Sequence, residues 1–352
     1  MSVTNEAKRA DWLELFFDLV FVYAIAKATH AIANPLDGHI ASQSYGLFFL
    51  MMIPIWWAWI GHTLFSTRFG NCDPIHRLLT LAMMMAVLFL AVFINPDFDP
   101  NYVGFLLSYV CARLILIVMY VRIGLRDDSA KKVAYQLSIG FGIGLAVMLC
   151  SLFFTPPWRY FVLYLGIAIE VVTPVIIRRQ LAEIPVDSHH MPERFGLLTI
   201  ILLGESVVAL GAPMSNLTWN WLTFPTAVLG FVVLAAAWWL YFTLTDKLII
   251  GKELGTGQHI TYGYLPLFAG LAIMANFVRF AINPALNLAD HIIMSISGAV
   301  LFLGALLFIH GTNMFKLRQA NIAALVFLLG SVLLIILADI GEPMVGATGA
   351  GH

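Results

Sequence analysis

Apolar runs of about 20 residues recur along the chain, separated by short polar stretches. Each is long enough to cross a hydrocarbon layer of roughly 30 Å at about 1.5 Å per residue. Eleven such runs stand near residues 13–33, 43–66, 75–94, 101–121, 132–154, 158–178, 194–212, 220–244, 259–281, 290–310 and 319–339. They are continuously apolar, whereas membrane strands alternate over about ten residues, so the pattern predicts helices and not a barrel. The first run follows the mixed-charge segment MSVTNEAKRAD and contains Glu14, Asp18 and Lys27, a poor match to a cleavable signal peptide. No connection exceeds about 15 residues, which leaves no room for a soluble catalytic or sensor domain. The expectation is an all-α, polytopic helical bundle whose main partner is the lipid bilayer.

Composition sharpens that picture. Of 352 residues 61% are apolar and only 11% charged, against about 25% charged in soluble domains. With a net charge of −1 there is no basic surface for nucleic acid, and three widely spaced cysteines, Cys72, Cys111 and Cys150, do not make a disulfide scaffold. Lys and Arg fall on one side: 15 of the 19 lie in the N-terminal segment, in the even-numbered connections or at the adjoining ends of the runs. Arg159 and Arg279 lie on the opposite side, and Lys27 and Arg113 within runs. Basic residues stay on the cytoplasmic side, which places the N-terminus in the cytoplasm and, after eleven crossings, the C-terminus EPMVGATGAGH outside.

An internal duplication is also legible. Glu14-Leu-Phe16 matches Glu193-Arg-Phe195 at an offset of 179, Trp56-Trp57 matches Trp238-Trp239 at 182, and His76 matches His259 at 183. Six runs separate the copies, so both cross the membrane in the same sense. The expected organisation is two parallel repeats, residues 1–179 with six helices and 180–352 with five, within one membrane domain.

Charges within the runs are the most informative residues, since an ionised group near the bilayer centre costs about 2.5–3.5 kcal/mol and usually faces a partner or a wet cavity. Glu14 and Asp18 are four apart and share a helix face that continues through Phe21, Val22 and Ile25. Two acids on one face form a cation-attracting mouth, a pair able to share a proton, or a hydrogen-bonding site for Arg194, His62 or a helix N-terminus. Glu205 lies near mid-membrane and corresponds through the repeat to the position beside Lys27, so a Lys27–Glu205 pair is one candidate. Arg113 and Glu170 are a second. Pro54, Pro174, Pro225 and Pro266 are candidate breaks that could free a backbone carbonyl, or simple packing kinks. The segment from His189 to Glu193 reads as a loop entering the seventh helix and not as a metal site, because no second ligand group has suitable spacing. No nucleophile elbow or other catalytic constellation occurs, and no cofactor is implied. Trp56, Trp57, Trp59, Trp238 and Trp239 read as packing or interfacial anchors.

Two stretches carry a resemblance. RADWLELFFDLVFVYAI, from Arg9 to Ile25, and HMPERFGLLTIILLGESVV, from His190 to Val208, closely resemble the bacterial low temperature requirement protein A (LtrA) family. The resemblance covers nearly the whole chain. It implies a multi-pass bacterial inner-membrane protein whose biochemical activity is not established for the family. More distantly, Glu14-x-Phe16-x-Asp18-x-Val20-Phe21-x-x-Ala24-Ile25 is similar to the first helix of the potassium channels with an RxxxFSD signature. Those channels are duplicated six-helix units, and the likeness implies an apolar constriction at Phe21, Val22 and Ile25. Phe17 stands where that signature has Ser, and Leu197 where the second copy would carry its acid.

The expected function is passage of an ion or small solute along a path near the first and seventh helices, with Glu14, Asp18, Lys27, Arg113, Glu170, Glu193, Arg194 and Glu205 as the pathway or buried charge network. The alternative is a membrane scaffold or sensor linked to growth at low temperature, in which the same charges only lock helices together. A homodimer would bring four helices of the first and seventh type together.

Overall fold

The computed structural model describes residues 11–70, 73–95, 97–215, 219–250, 254–283 and 285–348. Lys8, Arg9, Cys72, Lys252 and the last four residues of the C-terminal segment lie outside the described residues. The helices are α1 Trp12–Thr29, α2 Ser42–Phe69, α3 Pro74–Val92, α4 Phe98–Arg126, α5 Asp128–Cys150, α6 Trp158–Ile176, α7 Arg178–Leu181, α8 His190–Met214, α9 Thr223–Leu248, α10 Gln258–Ile282, α11 Leu288–His310 and α12 Arg318–Thr348. Among the described residues, eleven are long and apolar enough to cross a membrane, all but the four-residue α7. The chain is therefore a polytopic membrane helical protein. On α3, Leu78, Leu81, Met85, Leu88, Phe89 and Val92 form an exposed stripe, while Met83, Met84, Val87 and Leu90 are buried on the other face. A helix apolar on both faces needs lipid on the outer one.

The described residues group into two compact units. One is drawn from Met1–Ala28, Leu50–Phe195 and Gly251–Thr261, the other from Thr29–Phe49, Gly196–Ile250 and Tyr262–His352.

In the first unit α3, α4, α5 and α6 pack in succession. Polar caps set where these helices begin. Asp73 accepts the His76 N–H at 2.8 Å with Pro74 at the first helical position, and Asp127 accepts the Ser129 N–H at 2.9 Å. Arg122 and Arg126, which extend α4 beyond its apolar stretch, both bond Asp73 and hold its carboxyl well below the usual carboxylate range, the Arg122 bond contributing most. At the α5–α6 crossing a Cβ on Gly166 would stand 2.6 Å from the Gly144 carbonyl oxygen, so only glycine permits this approach. Pro54 lacks an N–H for the Leu50 carbonyl one turn back, and the Tyr164 hydroxyl donates to that carbonyl instead. Pro225 departs from the expected break: it sits in the first turn of α9, where the missing N–H disrupts no helical bond.

In the second unit α9 lies along α12, and α10 crosses α11 where a Cβ on Gly270 would meet the Phe302 nitrogen at 2.6 Å. Asn287 caps α11 through the Asp290 N–H at 2.9 Å and donates its amide to the Gly38 carbonyl at 2.8 Å, pinning a turn in which Gly38 has φ +80°. The buried Tyr241 and Tyr264 hydroxyls bond each other at 2.7 Å.

Candidate functional site: two buried charge clusters

The buried residues of α1 are Glu14, Phe17, Asp18, Phe21, Val22, Ala24, Ile25 and Ala28. They lie on one face by helical spacing, while Trp12, Phe16, Leu19 and Tyr23 on the other are exposed. Facing the two acids are two basic side chains at the same spacing on the first turns of α8, His190 and Arg194. His190 Nε2 lies 2.8 Å from Glu14 Oε2, Arg194 Nη1 is 2.9 Å from Glu14 Oε1, and Arg194 Nη2 is 2.7 Å from Asp18 Oδ1. Trp59 of α2 donates its indole N–H to the same Asp18 oxygen at 2.8 Å. Asp18, His190 and Arg194 are fully buried, and Glu14 retains 7% of its surface. Asp18 Oδ2 has no hydrogen-bond partner among the described residues.

Local chain chemistry sets this ladder. Asp187 accepts the N–H groups of His189 and His190, each at 2.8 Å, as the chain enters α8. Partial burial raises the Asp187 carboxyl, but those two donors outweigh it and hold the group below its ordinary value. At the other helix Glu14 Oε2 accepts the Asp11 N–H at 3.1 Å, completing the first turn of α1. Next to the ladder, His62 of α2 is fully buried, stacks on Phe17 at 4.0 Å and lies 3.2 Å from the Thr80 hydroxyl through Nε2. The His76 ring of α3 stands 6.0 Å beyond it.

The second cluster joins α2, α4 and α6. Arg113 Nε lies 2.7 Å from Glu170 Oε2, and both side chains are fully buried. Trp57 donates to that oxygen at 3.1 Å and the Tyr109 hydroxyl at 3.3 Å. The guanidinium packs over Phe141 at 4.7 Å and is admitted against α2 by Gly61, where a Cβ would overlap it. Glu170 is twelve residues into α6, about 18 Å along its axis.

The structure thus brings Glu14, Asp18 and Arg194 together in one site and Arg113 and Glu170 in another. Glu193 is half-buried in the first turn of α8. Phe21, Val22 and Ile25 are buried beyond Asp18 on α1. Lys27 is in the first unit, its ammonium 5.7 Å over the Tyr23 ring, and Glu205 is half-buried in the second. His190 corrects the sequence reading: α8 starts there, and the residue is a buried partner of Glu14 and not part of a loop. Trp57 and Trp59 are likewise hydrogen-bond donors to buried carboxylates and not only packing anchors. Trp238 and Trp239 are exposed. Among the described residues no group of three or more His, Cys, Asp or Glu is placed to hold a metal ion.

Residues 9–350 match the profile of the family described as bacterial low temperature requirement A protein (LtrA). The chain is also similar to an uncharacterized protein of Rhizobium meliloti (strain 1021), with 24% identity over 350 residues covering 94% of this chain and 84% of the relative.

Proposed function

The chain belongs to the bacterial low temperature requirement A family, and from that premise we propose that it passes an ion or small solute across the bacterial inner membrane. The path runs along the buried face of α1 beside the first turns of α8, with the N-terminus cytoplasmic. The reading rests chiefly on Asp18: a fully buried carboxylate with one unpartnered oxygen, inside a site of two acids and one guanidinium. What separates the two clusters is charge balance, because an uncompensated buried charge adds cost. In the second cluster one guanidinium meets one carboxylate, and although Glu170 Oε1 also lacks a hydrogen-bond partner among the described residues, Glu170 Oε2 collects Arg113, Trp57 and Tyr109 in a brace between helices. In the first cluster the open oxygen lies one turn before Phe21, Val22 and Ile25, so a charged mouth is followed by an apolar constriction, the arrangement of a closed pathway. The role is transport and not catalysis.

The test is flux of K⁺, Na⁺ and H⁺ into liposomes holding purified, folded protein, for the wild type and for Ile25→Ala, which shortens the side chain at the constriction. Selective flux that rises in Ile25→Ala supports the pathway. No flux above empty liposomes for any of the three ions, in either protein, moves the scaffold reading to the front.

A further inference from the structure

We propose that the Glu14–Asp18–His190–Arg194 site is a proton-binding site, with Asp18 Oδ2 as the atom that takes up the proton. This deepens the pathway reading above by naming the ion, and it rests on that reading for its role in flux.

Charge counting is the first argument. Two carboxylates face one guanidinium, so one carboxylate of the buried site has no permanent cation of its own. A net charge in such surroundings is costly, and the simplest correction is one proton. The hydrogen-bond pattern shows where it goes. Both donors to Asp18, Arg194 Nη2 at 2.7 Å and Trp59 Nε1 at 2.8 Å, bond Oδ1, and Oδ2 accepts nothing among the described residues. That leaves Oδ2 free to carry a hydrogen while Oδ1 accepts, as in a neutral carboxylic acid; Glu170 has a similarly open oxygen, but there Arg113 balances the charge one to one. Glu14 is arranged differently: its two oxygens share contacts with Arg194, His190 and the Asp11 N–H, which suits an anion. The proton therefore has one favoured address.

The charged and titratable groups around the site come from several elements. Glu14 and Asp18 come from α1, His62 from α2 beside the neutral donor Trp59, His190 and Arg194 from α8, and Asp187 from the turn before it. His76 of α3 stands behind His62. His62 Nδ1 is buried without a hydrogen-bond partner among the described residues, and the ring feels both Arg194 and Glu14. Uptake balances simply: a proton from water forms the Oδ2–H bond, and its release restores the carboxylate.

The experiment is infrared difference spectroscopy of the full-length protein in lipid nanodiscs, stepped between about pH 4 and pH 9, the range in which perturbed carboxyl groups titrate. The carbonyl stretch of one protonated carboxylic acid should appear as pH falls in the wild type and be missing from the otherwise similar carboxyl signal of Asp18→Asn. That variant keeps both bonds to Oδ1 and mimics the protonated side chain. Trp59→Phe, which retains the acid and removes one donor to the anion, should move the same band to higher pH by about one unit. It gives a reading even if Asp18→Asn does not fold. A wild type without this band, a band that persists in folded Asp18→Asn, or a band unmoved by Trp59→Phe overturns the proposal. Titration without flux of any ion retains the proton site and removes the pathway. K⁺ or Na⁺ flux without titration retains the pathway and removes the proton site.

Discussion

Replacing Glu170 with Gln keeps the shape of the side chain and removes its charge, leaving the Arg113 guanidinium fully buried without a counter-ion. In the native protein Glu170 Oε2 sits 2.7 Å from Arg113 Nε and accepts from Trp57 and Tyr109. Breaking one side of a buried pair typically costs about 3–5 kcal/mol, whereas replacing both partners with apolar groups of similar volume is often neutral. Glu170→Gln and Arg113→Met should each therefore destabilise by about 3–5 kcal/mol, and the Arg113→Met/Glu170→Met double variant should lie within about 2 kcal/mol of wild type. The measurement is reversible unfolding by SDS titration in mixed micelles, followed by far-ultraviolet circular dichroism. Single variants within about 0.5 kcal/mol of wild type, or a double variant whose loss equals the sum of the singles, would refute the brace.

Two further expectations concern the scaffold around the site. Gly166→Ala places a Cβ 2.6 Å from the Gly144 carbonyl oxygen and should cost about 1–3 kcal/mol by the same unfolding assay, while Gly142→Ala, with open space around it, should be near neutral. Asp187→Ala removes the acceptor at the start of α8 and should cost about 0.5–2 kcal/mol. Because the folded protein holds this carboxyl below its unfolded value, its contribution is present above the unfolded value near pH 4 and lost as pH falls through the folded one. Thermal unfolding followed across that range should show a shallower acid decline in Asp187→Ala than in wild type.

The eleven spans were legible because lipid demands long apolar runs, and that demand leaves a signal that local propensity does not blur. Ends were less legible. The seventh run appears to the hydropathy pattern near 194, yet α8 starts at His190 because Asp187 caps it; those four residues are one helical turn and put His190 on the face of Arg194. Glu14 and Asp18 on one helix against His190 and Arg194 on another, each pair four apart, is the spacing signal that would have identified the site. Arg113 and Glu170 stood out as charges in apolar runs, but their aromatic donors did not, since Trp57 and Tyr109 look the same in sequence whether they face lipid or a buried carboxylate. Gly61 was silent for a similar reason: its role is the space it leaves for the Arg113 guanidinium. The short α7 and the extension of α4 to Arg126 lie outside the apolar pattern, where hydropathy has nothing to report.

The central claim is that the α1–α8 cluster lies on a pathway and the α4–α6 cluster does not. The most direct measurement is proton flux in liposomes at equal amounts of folded protein, comparing wild type, Asp18→Asn and the Arg113→Met/Glu170→Met double variant. Flux that is changed at least several-fold by Asp18→Asn and left near wild type by the double variant is the expected result. Equal flux in wild type and Asp18→Asn, or a loss confined to the double variant, would contradict it.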